Sequence, residues 1–228
     1  MNEIMQYIHN QKKQFSHLSF FQQLKNPSIS PKNKLCFLPT MSHFIMSFAD
    51  LNKYVLKFPA PKNEFEQAVN IHAAEDENHW QWFIHDLETL KLDQTSTLAD
   101  HLVSIWSPDS AAVRQLTYTL IGLIAHTTAQ QRLVMIEVME ATGNVMFQAL
   151  APIALEIKQQ EAIDLKFCGQ THLAHETGHT MGSEEKLFDT IHFDEQTRKN
   201  LKEDIDQGFE AFTQFIYALE NTTMAKNP

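Results

Sequence analysis

Apolar residues recur three and four positions apart along most of the chain, and strict apolar/polar alternation is scarce. That pattern predicts helices rather than strands. The C-terminal segment shows it most clearly: Leu201, Ile205, Phe209, Phe212, Ile216 and Leu219 form one stripe, with Lys202, Glu203, Asp204 and Asp206 turned away from it. Helix breakers divide the rest. Asn26-Pro27-Ser28 through Pro31-Lys32-Asn33 predicts a loop after one or two amphipathic N-terminal helices. Pro39-Thr40 precedes a helix running to about Phe58, and Pro59-Ala60-Pro61 ends it. Asn63, with Glu66 three residues on, caps what reads as one long helix through Leu90. Ser107-Pro108-Asp109 starts another, with Ser as N-cap and Pro at the first helical position. Gly182-Ser183 and Asp194 separate the last helices. The expectation is an all-α fold, a single-domain multi-helical bundle of roughly seven to nine helices. Residues 1–38 are expected to form N-terminal helices and a loop that pack on a 40–222 core.

Composition narrows the class. A length of 228 residues suffices for a sizeable core, and a net charge of −10 argues against a nucleic-acid binder, which needs a basic face. Two cysteines cannot build a disulfide framework, so a reducing, cytoplasmic setting is expected. The start, with Glu3 ahead of Lys12 and Lys13 and no apolar centre, does not resemble a signal peptide. The longest uncharged stretch, Gln115 to Gln131, is too short and polar to span a bilayer, so no membrane partner is expected. The anomaly is histidine. Six of the twelve fall in two short windows, 72–85 and 172–179.

In the later window, His172, His175, Glu176 and His179 sit at i, i+3, i+4 and i+7, so on a helix three imidazoles and a carboxylate face the same way. Nitrogen and oxygen donors of this kind suit iron, manganese or zinc. In the earlier window, His72, Glu75 and His79 share a helical stripe, and Glu75 with His79 is an i, i+4 pair able to meet at one ion. Trp80, Trp82, Phe83 and Ile84 make its flank apolar. A third segment carries Glu137 and Glu140 inside Leu133-Val134-Met135-Ile136 and Val138-Met139, where burial is expected. A buried, unpaired carboxylate costs several kcal/mol, so each needs a proton, a cation or a partner; Arg132 can serve one of them, and a metal either. One buried Glu on a central helix plus two Glu/His helices is the inventory of a carboxylate-bridged dinuclear site in a bundle.

With these residues in hand, the chain resembles the haem-oxygenase-like helical superfamily, which includes TenA and pyrroloquinoline-quinone synthase, and within it the non-haem di-iron oxidases. Those proteins take ligands from a Glu and a His on one core helix, a lone Glu on the next, and a His-x3-Asp-x2-His set on a later one. His172-x3-Glu176-x2-His179 is similar to that last set, with Glu in place of Asp. The resemblance implies Glu75 as the first ligand and Glu140, or else Glu137, as the lone Glu. The first-helix histidine is either His79, which satisfies regular helix geometry, or His85, which satisfies the spacing of some relatives. On a regular helix His85 would lie about 15 Å along the axis from Glu75.

The activity so implied is oxidation of a small organic substrate by O2 at two iron ions, with manganese as a substitute, in a cytoplasmic homodimer. His175 and His72 would support the ligands by hydrogen bonding. Trp80, Trp82, Phe83, Met135, Met139 and Met146 are candidate pocket walls, or plain core. The alternative is a TenA-like, metal-free hydrolase of a thiamin-related aminopyrimidine, with Cys168 as nucleophile one turn before His172. A helical binding or interaction module without metals is a third reading. Haem oxygenase activity is a weak fourth: His17 or His43 could stand as proximal ligand, but glycine is sparse around Gly122 and Gly143.

Overall fold

The computed structural model describes residues 3–93, 97–179 and 187–226, excepting the side chains of 176–179 and 226. Gly182 and Ser183 lie outside the described residues. Every regular element among the described residues is helical. They run α1 (Glu3–Phe15), α2 (Ser19–Gln23), α3 (Pro31–Lys34), α4 (Ser42–Asp50), α5 (Glu64–Asp76), α6 (Trp80–Thr89), α7 (Leu98–Trp106), α8 (Ala111–Ile124), α9 (Ala129–Glu161), α10 (Gln170–His179) and α11 (Glu195–Lys226). A 3-10 turn, Leu38–Met41, leads into α4, and a π-helical segment, Leu51–Leu56, leaves it.

The fold is thus an all-α, multi-helical bundle, with more helices than the seven to nine expected. Part of the excess comes from short turns such as α2 and α3. The rest comes from residues 63–90, where the expected single helix is two. Three carboxylates stand in a row at Glu75, Asp76 and Glu77, and Asn78 is a poor helix former. Lys57 draws Glu77 off into an ion pair, and the His79 amide donates to the Asp76 carbonyl in a tight turn. The chain therefore bends between α5 and α6.

Most predicted boundaries coincide with side-chain caps. The Glu66 amide donates to Asn63 Oδ1 at 3.0 Å, the Ser110 amide to Ser107 Oγ at 3.3 Å, and the Thr197 amide to Asp194 Oδ1 at 2.7 Å. Each satisfies one of the orphan amides of a helix start. The apolar stripe of α11 is buried throughout. It packs on α8 and α9, and Gly208 lets the backbones of α11 and α9 approach: a Cβ there would lie 3.1 Å from Val138 Cγ1.

The 33-residue α9 is the central pillar, contacting α1, α5, α8, α10 and α11. It is long and apolar enough to cross a bilayer, but its apolar window is 78% buried by the other helices. A core helix of this kind buries apolar residues on nearly every face.

Arg132, near the start of α9, does not pair with Glu137 or Glu140. Its guanidinium donates to the carbonyls of Val55 (2.8 Å) and Leu56 (2.5 Å), the last turn of the π-helical segment, and stacks on Phe58. Those carbonyls end a helix and lack intrahelical partners, so Arg132 clamps the 51–58 segment to the pillar. Arg132→Met is expected to lower stability by about 2–4 kcal/mol, since it removes charged hydrogen bonds and leaves buried acceptors unpaired. Arg132→Lys, with fewer donors, should fall between. Urea unfolding of the three proteins measures both.

Candidate metal centre

The helix bend at residues 77–79 organises the site. His72 and Asp76 are one turn apart on the inner face of α5, and His79 projects from the bend beside them. Glu140 meets them from α9. His72 Nε2 lies 3.2 Å from Asp76 Oδ2 and 3.2 Å from Glu140 Oε1, and His79 Nδ1 is 3.7 Å from Asp76 Oδ1. One ligand atom from each of His72, Asp76 and Glu140 falls within 4.8 Å of the others, and all three residues are buried.

Two donors at about 2.0–2.2 Å from a shared ion lie about 3.0–3.4 Å apart at octahedral or tetrahedral angles. The 3.2 Å spacings fit that range. The residues present therefore fit a metal ion of the kind that takes mixed imidazole and carboxylate ligands.

A second set of rings closes over the first. His172, on the first turn of α10, is 2% exposed, with its ring 4.6 Å from that of His79 and 3.8 Å from that of Phe147. Its Nδ1 is 2.9 Å from the Phe167 carbonyl. If Nδ1 carries the proton, Nε2 is left as a donor to a cation. His175 stands 5.1 Å from His79, and Trp82 stacks on His79 at 4.6 Å and 17°. The side chains of Glu176 and His179 lie outside the described residues, although the backbone of both belongs to α10.

Asp86 on α6 holds α10 in register. It is fully buried and accepts the amides of Lys166 (2.7 Å) and Cys168 (2.9 Å), fixing the turn that launches the helix. Burial pushes its carboxyl above the ordinary range against the opposing pull of those two amides. Gly169 completes the turn, since a Cβ there would overlap the Leu165 carbonyl. Burial, then the neighbouring Asp86, push the Cys168 thiol well above its usual range. A nucleophilic cysteine needs the opposite shift.

Two carry-overs from the sequence are displaced. Glu75, the expected first ligand, is on the exposed face of α5, and Asp76 occupies the inward position. On a helix, one residue's difference is a 100° rotation, and the i, i+4 partner of His72 is Asp76. His85 lies on the far side of α6, half-buried near Asp86 and Asp164, while His79 is at the cluster. His72, expected to act in support, stands at the centre.

Glu140 is buried on α9, against His72. Glu137 is buried one turn earlier and, with Glu140, faces the Lys12 ammonium. Desolvation lowers the Lys12 pKa, and these two carboxylates work to raise it. Lys12 also donates to Asn144 Oδ1 at 2.8 Å. Asp76 and Asp86 are the residues the sequence reading missed. The signal for Asp76 was its spacing from His72; nothing local marked Asp86.

Asp76, His79, Glu140 and His172 line a cavity of about 80 Å³. Phenylalanines of α1, α4, α9 and α11 line much of the rest, with Trp80, Met139 and Met146. Phe83 and Met135 pack into the core instead. Comparison with known proteins finds no matching family and no matching curated protein.

A thiol as buried as Cys168 should resist alkylation. Iodoacetamide at pH 8 is expected to leave Cys168 unmodified in the native protein and to label it in urea, read by peptide mass spectrometry. Rapid native labelling would favour the nucleophile reading.

Proposed function

We propose that the protein is a metal-dependent oxidase of the haem-oxygenase-like type that uses O2 on a small organic substrate, with iron as the metal. The observation that carries this reading is the convergence of buried His72, Asp76 and Glu140, with His79 and His172 beside them, where all but His72 line an apolar cavity. The all-helical bundle is compatible with that superfamily. His72, Asp76 and Glu140 would hold one ion. A second would draw on His79 and His172 and, as the resemblance implies, on Glu176 and His179. Iron bound there supplies the electrons and the open coordination position that O2 requires.

The chain's own contribution is positional. His72 and Asp76, one turn apart on α5, and Glu140 on α9 bring their ligand atoms together, the Phe167 carbonyl orients His172, and phenylalanines make the neighbouring space apolar. The metal-free hydrolase reading has less support, because Cys168 is protonated and buried.

We further propose a cytoplasmic, symmetric homodimer. Free, buried Cys36 and Cys168 suit a reducing compartment, and exposed Leu98, Leu102 and Val103 on α7 are apolar surface that a two-fold pairing would cover.

Anaerobic loading of metal-free protein with Fe(II), followed by metal counting, tests the central claim. One to two irons per chain are expected. Asp76→Ala and His72→Ala should lower uptake at least ten-fold, while Glu75→Ala leaves it unchanged. Uptake below half an iron by the wild type, or a loss with Glu75→Ala equal to that with Asp76→Ala, would overturn the assignment. For the dimer, light scattering should give twice the chain mass, and replacing Leu102 and Val103 by Glu should halve it.

A further inference from the structure

A second concavity, of about 510 Å³, opens on the surface between α4 and the end of α7. It adjoins the inner cavity: Ala49 and Trp80 belong to the walls of both. Across that shared partition the two differ in kind. The inner cavity is apolar except where it meets the histidine–carboxylate cluster. The outer groove is mixed, with Ser42, His43, Ser47 and Asp50 facing Trp80 and Trp106.

Neither compartment is lined by a lysine or arginine among the described residues; their fixed charges are Asp50 outside and Asp76 and Glu140 inside. Arg114 stands behind Trp106, 5.8 Å from its ring, and donates to the carbonyls of Ile105 (2.5 Å) and Ser107 (3.0 Å). His43 adds no positive charge near neutral pH, because burial and then the Arg114 charge lower its pKa. An anion entering either compartment would meet carboxylates and no lining cation. A cation would meet Asp50 and the indoles of Trp80 and Trp106, a residue type whose ring face attracts cations.

We propose that the groove is the outer half of a two-compartment substrate site, and that the substrate is an amphiphilic amine. Its slim apolar end lies in the inner cavity, and its ammonium group is held outside by Asp50 and Trp80. The inner space is about half of a cavity known to take benzene, so it suits an unbranched alkyl end rather than a fused ring. Met139 and Met146 in its wall can adjust to chain length. Ala49 is the smaller of the two side chains common to both walls, so a bulky side chain there would intrude between the two halves. This assignment deepens the oxidase reading by naming a substrate class, and the identity of the reacting carbon rests on that reading.

Binding can be tested without metal. All three tryptophans report on the site: Trp80 and Trp106 line the groove, and Trp82 stacks on His79. Tryptophan fluorescence of the metal-free protein is titrated at pH 7 with n-octylamine, sodium octanoate and 1-octanol, each below its micellar concentration. Octylamine is expected to bind at least ten-fold more tightly than octanoate. Asp50→Asn, a change at an exposed position, should narrow that gap at least three-fold. Ala49→Phe should abolish the gain in affinity from n-butylamine to n-octylamine while leaving butylamine binding in place.

Octanoate binding as tightly as octylamine, an unchanged ratio in Asp50→Asn, or no saturable binding of either probe overturns the proposal. Iron uptake on the same preparations separates the two claims. Normal uptake without amine preference sinks this inference alone, whereas amine preference without uptake sinks the oxidase reading and leaves the amine site standing.

Discussion

Moving a carboxylate out of water without a counter-charge costs several kcal/mol, and α9 carries two of them, Glu137 and Glu140, between stretches of Leu, Val, Ile and Met. Asp76 adds a third from α5. The Lys12 ammonium lies against the α9 pair and offsets part of this charge, but its own burial works against its protonation. The rest of the balance falls to protons on the acids, to the imidazoles or to a bound cation. A fold that buries acids at its centre must either keep them neutral or bring something positive to them. The turn between α5 and α6 and the turn that launches α10 are the devices that deliver His79 and His172 to the same place.

Those devices depend on contacts remote in sequence. Asp86 reaches the amides of residues 166 and 168, and Lys57 draws Glu77 out of line with α5. Arg132 ties the carbonyls of Val55 and Leu56 to the pillar, which fixes the segment just upstream of α5. The site is therefore held by hydrogen bonds between elements as much as by packing. Of the helices bearing it, α5, α6 and α10 are short and joined by polar turns, while α9 spans more than thirty residues.

Periodicity and capping made much of the fold legible. The α11 stripe, the Asn63 and Asp194 caps and the burial of Glu137 and Glu140 all follow from patterns within one helical turn. What was not legible has one physical cause: local pattern assigns a face to a residue only while the helix remains regular. Residues 63–90 do not remain regular. A stripe drawn through His72, Glu75 and His79 assumes an unbroken axis, but His79 lies beyond the bend, so its partner on α5 is Asp76 rather than Glu75. The same bend reconciles geometry with His79 and turns His85 away. Arg132 looked like a partner for its neighbours on α9 because sequence proximity conceals that a long side chain can reach the end of another helix.

The surroundings of the cluster bear on the chemistry it favours. Its exposed face opens on phenylalanine and methionine side chains rather than on water, and low polarity strengthens every attraction among His72, Asp76 and Glu140. The same lining offers little with which to activate a polar bond: the thiol nearest His172 in sequence is held protonated, and Thr142 is a hydroxyl that donates to the Val138 and Met139 carbonyls of its own helix. Hydrolysis needs an activated nucleophile, and neither of these groups is one. The proposed oxidation, which draws on a redox ion and acts on an apolar part of the substrate, does not need one. Mixed nitrogen and oxygen donors beside an apolar, aromatic-lined space are consistent with that proposal.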